Sequence, residues 1–213
     1  MSAKVVLEAA KYILRTDLVK GTWGNVSYRE EDRMWITPSG VPYDEMGEND
    51  IAVVDLDDGE WIEGNFKPLS ELPMHLEIYR IFPEIKAIVH FHAVYSSAFS
   101  AFDEDVPCYT EDQAQIIGGR IRVSKYAYPG TEELAKNVVE ALKDRFGAII
   151  ANHGAVAIGR SMKEALAAAE VLEKSCHIAW LVGKSGKELS EKDISKLRKM
   201  YLDSYSKKIT EER

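Results

Sequence analysis

The sequence holds only two cysteines, Cys108 and Cys176, among 213 residues. That is too few for a disulfide framework, and they lack the CxxC spacing of a thiolate metal site, so two ordinary reduced thiols are expected. Long apolar runs are also missing. Stretches such as Ala148 to Ala151 and Ala155 to Ile158 fall far short of the roughly 20 residues that span a bilayer, so no membrane-crossing helix is expected. The first residues lack the succession of basic stretch, apolar stretch and small-residue cleavage site found in secreted proteins. Residues 4–18 read instead as an amphipathic helix, which makes a cytoplasmic location the expectation. Clustered positive charge is absent as well. The formal net charge is -8, and nucleic-acid binding needs Lys and Arg gathered on one face, so nucleic acid is not an expected partner. An anionic small molecule would need its own pocket of N–H groups. Repeats, low-complexity tracts and linkers are not found.

What is present suits one globular domain over residues 1–213, with 46% hydrophobic and 29% charged residues, a balance that excludes disorder. Val5, Val6, Ala9, Ala10, Ile13 and Leu14 recur at helical spacing, giving an opening helix with one buried face. Short β-type stretches follow at 25–28 and 34–37, then at 51–56 and 60–62 around the turn residues Asp57, Asp58 and Gly59. Ser70 is placed to cap a helix carrying Leu72, His75, Leu76 and Tyr79. Residues 86–91 read as a strand, and 94–102 return as helix. Helical patterns cover 131–146, 162–182 and 190–205, and a β-type stretch at 148–158 is broken by Asn152, His153 and Gly154. Hairpins followed by strands alternating with helices predict a three-layer α/β/α domain around a central mixed, largely antiparallel sheet.

The chain has five histidines. His90 and His92 end a predicted strand, and residues two apart on a strand share a face, so both imidazoles can reach one ion while Phe91 packs the other way. An HxH pair alone is weak. His153, in a second strand connection, makes a third imidazole and leaves a fourth tetrahedral position open, the arrangement of a catalytic rather than a structural zinc site. His75 and His177 fall in helical patterns, where a packed histidine is the plain reading. His75 follows Glu71 by four residues on the same helix face, placed either to orient that carboxylate or simply to pack. Glu71 taken alone is favourable charge at a helix start. The neighbouring turns Gly21-Thr22-Trp23-Gly24-Asn25 and Thr37-Pro38-Ser39-Gly40 together suggest a cradle for an anion.

These segments jointly carry a resemblance. Gly21 to Ser27 (GTWGNVS), Trp35 to Asp44 (WITPSGVPYD), Ser70-Glu71, Ala87 to Val94 (AIVHFHAV) and Asn152 to Ala155 (NHGA) keep the order and spacing of the class II aldolase/adducin family across nearly the whole chain. The resemblance implies a sheet between helices and a homotetramer whose active sites lie at subunit contacts. It implies one Zn2+ per subunit on His90, His92 and His153, and Glu71 as the catalytic acid/base. Thr22, Gly24, Asn25, Ser39, Gly40 and Ser70 would be phosphate contacts, and the tyrosines Tyr109 and Tyr205, with Tyr201 one turn before the latter, would complete the site. The implied reaction is zinc-dependent cleavage of a ketose 1-phosphate, L-fuculose 1-phosphate or similar, to dihydroxyacetone phosphate and an aldehyde such as lactaldehyde.

Leu69 stands where the aldolases carry a second serine, which removes one hydroxyl from the phosphate contacts; Lys67 is a candidate substitute. Relatives with other chemistry keep parts of the pattern. Pentulose-phosphate 4-epimerases resemble Ser-Asp rather than Ser70-Glu71, and methylthioribulose-phosphate dehydratases use an acid near Glu111 and Asp112. An adducin-like interaction module would need none of the histidines.

Overall fold

The protein is described by a computed structural model covering residues 1–205, save the side chains of residues 184, 204 and 205. The side chain of Tyr205 therefore lies outside the described residues, as do residues 206–213.

Helix α1 (Ser2–Arg15) buries Val6, Ala9, Ala10 and Ile13, one face of a 3.6-residue repeat. Strands β1 (Gly24–Glu30) and β2 (Arg33–Ile36) form a hairpin whose turn places Glu31 at positive φ. The meander continues through β3 (Ala52–Asp55) and β4 (Trp61–Glu63). Then come α2 (Leu72–Ile81), β5 (Ala87–Phe91) and the short α3 (Val94–Phe99). The chain proceeds through α4 (Glu132–Leu142), the hairpin of β6 (Gly147–Ile150) and β7 (Gly154–Gly159), α5 (Met162–Val182) and α6 (Glu191–Met200).

The strands make one seven-stranded sheet in the order β4-β3-β2-β1-β5-β7-β6. Each of these neighbours pairs antiparallel, and the mixed character reduces to an isolated parallel bridge between Val123 and Ile149. Helices α1 and α5 pack against the sheet on β1, β5 and β7. Alternation along β1 sends Asn25 and Ser27 to the other face, where they meet α2, which packs in turn on α4. Three layers result. The alanines of α5, Ala165, Ala168 and Ala169, are buried and let its backbone lie close to β5 and β7.

Two local features depart from the periodicity. Residues Gln113–Ile117 form a turn of π-helix ending at Gly118, and α6 gives way to a second such turn at Tyr201–Tyr205. The helix expected to start on a Ser70 cap begins instead with Glu71 at the cap position and no side-chain cap bond. Pro73 in its first turn has no N–H to satisfy.

Candidate active site

His90 sits inside β5, opposite Asn25 on β1 and Val156 on β7, and is fully buried. His92 follows just beyond the strand end. His153 comes from the β6–β7 turn, which Asn152 closes at φ 54; Asn152 N–H donates to Ser100 O and His153 N–H to Ile150 O, at 2.7 and 3.1 Å. The three rings lie with centroids 4.8–4.9 Å apart, and one ligand nitrogen from each falls within 4.8 Å of the others. His90 Nδ1 donates to Ala155 O at 2.9 Å. That bond fixes the tautomer and leaves Nε2 bare toward the cluster, the usual outer-shell device for a metal-binding imidazole.

Glu71 reaches the same point from the start of α2. Its Oε2 lies 3.2 Å from His90 Nε2 and its Oε1 3.2 Å from His153 Nε2. Burial alone would raise its pKa, but the charge and hydrogen bond of His90, with His153 and the Asn25 amide, hold it well below the usual carboxylate range. Burial opposes a proton on His90, and the facing carboxylate overrides it, raising that pKa. His92 is pushed down to about 3, first by burial and then by charge at His90 and His153. His153 is lowered for the same reasons. The carboxylate thus favours positive charge at a cluster where burial holds His92 and His153 neutral, and Glu71 Oε1 is buried with no hydrogen bond to satisfy it. Three imidazoles and a carboxylate with that unmet demand suit a divalent cation.

The turns form the facing wall. Thr22, Gly24, Asn25, Ser39, Gly40 and Ser70 line one cavity of about 320 Å³ together with Glu71, His92 and His153. Thr37 Oγ1 accepts from Val26 N–H at 3.1 Å, and an antiparallel bridge joins Pro38 to Pro68, so the 37–40 turn is tied to the segment that delivers Glu71. Gly24 must be glycine. At φ +131 a Cβ there would lie 2.5 Å from Val19 Cγ1 and 2.8 Å from His90 O.

The sequence model for "Class II Aldolase and Adducin N-terminal domain" matches residues 4–180. The chain belongs to that family. It is 39% identical over 164 residues to an L-fuculose phosphate aldolase of Methanococcus maripaludis, covering 77% of this chain and 88% of that one. It is 34% identical over 200 residues to a 5-deoxy-D-ribulose 1-phosphate aldolase of Bacillus thuringiensis, covering 92% and 93%. Among solved structures, an L-fuculose 1-phosphate aldolase superposes with a TM-score of 0.90 at 32% identity, covering 94% of this chain and 96% of its own. The protein is accordingly a lyase of the class II aldolase family.

In this class II aldolase neither Tyr109 nor Tyr201 joins the cluster within one chain. Tyr109 OH donates to Gly183 O at 3.1 Å, and its ring borders a groove with Phe99, Phe102 and Trp180, away from the metal pocket. Tyr201 is buried, and its hydroxyl donates to Glu164 at 3.0 Å, a packing role. Lys67 is not among the residues that line the site. Asp112 is engaged by Lys174 and accepts from Gln113 N–H, while Leu69 and Pro129 form apolar parts of the wall.

Sequence reasoning missed Pro129, Gly130 and Tyr43. Gly130, at φ +79, approaches so closely that a Cβ would lie 2.8 Å from Ser70 O, which seats the 125–130 loop against the Glu71 turn. Tyr43 OH donates to Gly24 O. The aromatic run Tyr126, Tyr128 before Pro129-Gly130 was the available signal, and it carries no periodicity.

Proposed function

We propose that this class II aldolase cleaves a ketose 1-phosphate, L-fuculose 1-phosphate or a close analogue, to dihydroxyacetone phosphate and an aldehyde such as lactaldehyde. His90, His92 and His153 would hold one Zn2+. The observation that carries the reading is Glu71, whose two carboxylate oxygens stand 3.2 Å from His90 and His153 at the edge of a cavity walled by N–H-bearing turns. The Bacillus relative and the superposed structure are both named for ketose 1-phosphates, which share the phosphate-bearing ketone half and differ in the aldehyde half.

Bound there, zinc supplies Lewis-acid stabilisation of the negative charge that the ketone half acquires when the carbon–carbon bond opens. The chain's residues supply binding and proton transfer. Thr22, Ser39 and Ser70 offer hydroxyls, and Gly24, Asn25 and Gly40 offer polar groups, to the phosphate. In the cleavage direction the ketone half keeps the bonding pair, and Glu71 in its acid form gives that carbon a proton. In condensation the ionised Glu71 removes the same proton. The hydroxyl of the aldehyde half loses its proton to the phenolate form of a tyrosine, Tyr109 or Tyr205, from a neighbouring subunit of a homotetramer, and the resulting phenol returns that proton in condensation. Supporting that assembly, Trp180 and Leu181 are 56% and 72% exposed beside the groove that holds Tyr109.

A panel of ketose 1-phosphates with different aldehyde tails, assayed for released dihydroxyacetone phosphate with and without zinc, tests the reading. Zinc-restored release from at least one of them is expected, and no release from any overturns it.

A further inference from the structure

Behind Glu71 a line of buried polar side chains runs into the core, and proton transfer at the substrate does not by itself require it. Asn25 Nδ2 donates to Glu71 Oε2 at 2.8 Å, and Asn25 Oδ1 lies 2.5 Å from His75 Nε2. His75 Nδ1 lies 2.7 Å from Ser27 Oγ, which lies 2.9 Å from Tyr79 OH. His75 and Ser27 are completely buried, and Asn25 and Tyr79 nearly so. Packing alone asks only for a side chain of this size. Here both ring nitrogens meet polar atoms that are themselves joined into a chain.

The direction of each hydrogen bond follows from what each group can give. An ionised Glu71 only accepts, so the Asn25 amide turns its NH2 toward it and its carbonyl toward His75. His75 must then donate through Nε2. Burial holds this imidazole neutral, with its pKa pushed down to about 3, so Nδ1 is bare and accepts the Ser27 hydroxyl proton. The Ser27 oxygen in turn lies 2.9 Å from Tyr79 OH, whose one proton also has Lys86 O as an acceptor at 3.3 Å. The donors of Ser27, His75 and Asn25 all point toward Glu71. The opposite imidazole tautomer would set a lone pair against Asn25 and turn the amide carbonyl onto the carboxylate, a contact between two acceptors.

We propose that His75 is a positioning residue for Glu71. It holds the NH2 end of the Asn25 amide toward the carboxylate, and the Ser27 hydroxyl, donating to Nδ1, favours the tautomer that lets it do so. One Nδ2 hydrogen of Asn25 is committed to Glu71, and the second remains for the phosphate. This inference rests on the reading of Glu71 as the acid/base.

Two arms test it on the full-length, zinc-loaded protein. In the first, ring-nitrogen NMR of 15N-histidine-labelled protein, with the His75 signals assigned by their loss in His75→Gln, is expected to show the proton on Nε2. Ser27→Ala is expected to shift the ring toward Nδ1–H. A proton on Nδ1 in the unaltered protein overturns the proposal. In the second, His75→Leu is expected to lower kcat roughly 10- to 100-fold, the usual loss when an outer-shell partner goes, with KM and bound zinc unchanged. His75→Gln, which keeps a donor near the Nε2 position, is expected to recover most of that loss. Equal kcat in the two variants overturns the proposal, and Ser27→Ala takes the place of His75→Leu should the latter fail to fold. Undiminished turnover in Glu71→Gln would overturn the acid/base reading instead, and the tautomer result would stand apart from it.

Discussion

The Nε2 atoms of His90 and His92 face each other at 3.0 Å, although His90 already gives its one neutral-form proton to Ala155 O. Zn–N bonds of 2.0–2.1 Å in a tetrahedron set ligand nitrogens about 3.3 Å apart, so a small outward shift of these rings accommodates the ion. Zinc added to chelator-stripped protein is therefore expected to stabilise the fold by about 2.7 kcal/mol at a hundredfold excess over Kd. In a chain of this size that amounts to a rise in Tm of about 5–10 °C. His92→Ala should abolish the rise in thermal unfolding measured at matched zinc.

Glu71→Gln keeps the side chain's size and one oxygen but cannot carry the proton. Turnover is expected to fall on the order of 10²- to 10⁴-fold, while zinc content by elemental analysis stays at the wild-type level. Exchange of a carbon-bound hydrogen of dihydroxyacetone phosphate with solvent deuterium should fall in parallel, because it needs the same group and no aldehyde.

Gly24→Ala tests how far the phosphate wall and the metal share one support. The added methyl would collide with Val19 and with His90 O in a backbone region that L-residues rarely adopt. Strain of this kind costs about 1–3 kcal/mol before any displacement of β5. A lower Tm together with weaker zinc binding is expected. A variant with unchanged zinc affinity would show that β1 does not brace His90.

The stability of the fold should depend on pH through His75. Its folded pKa lies at about 3, below the ordinary histidine value, so between those limits the unfolded chain binds more protons. Stability is fully present above roughly pH 6.5 and declines as pH falls toward 3, by up to about 1.4 kcal/mol per pH unit. Urea unfolding at neutral and mildly acidic pH should show a shallower pH slope for His75→Gln than for wild type.

Glu164 is fully buried where Arg160 and Tyr201 converge on it. Arg160→Ala strands the fully buried Glu164 carboxylate and is expected to cost about 3–5 kcal/mol, as for a broken buried pair. Tyr201→Phe removes one hydrogen bond, costs about 1 kcal/mol, and leaves turnover intact, in keeping with its place in the packing. Chemical denaturation and a turnover assay distinguish the two effects.

Much of this was legible in the sequence because period and chemistry agree. His90 and His92 share a face by the two-residue repeat of a strand, and α1 and α5 announce themselves through buried positions at helical intervals. The β6–β7 turn could be read from Asn152-His153-Gly154. Ser70 misled as a cap because its residue type fits that position, whereas the helix begins one residue later with its leading carboxylate turned to the histidines. The turn at 113–117 was invisible because hydrogen bonds five residues apart leave no distinctive apolar repeat. Pro129 and Gly130 reach the site from a distant loop, and only the fold brings Gly130 onto Ser70. Tyr109 turns to Gly183 O, a contact that no local pattern in the sequence announces.

The site gathers Asn25 from β1, His90 from β5 and His153 from the turn before β7, three strands adjacent in the sheet but scattered along the chain. No early segment of the polypeptide can assemble it. The three-imidazole pocket is complete only when the last of these strands is in place, so an ion taken up there would close a finished sheet and not start one. A nascent chain still lacking β7 would leave zinc to other ligands in its surroundings, and the appearance of tight binding would time the completion of the sheet.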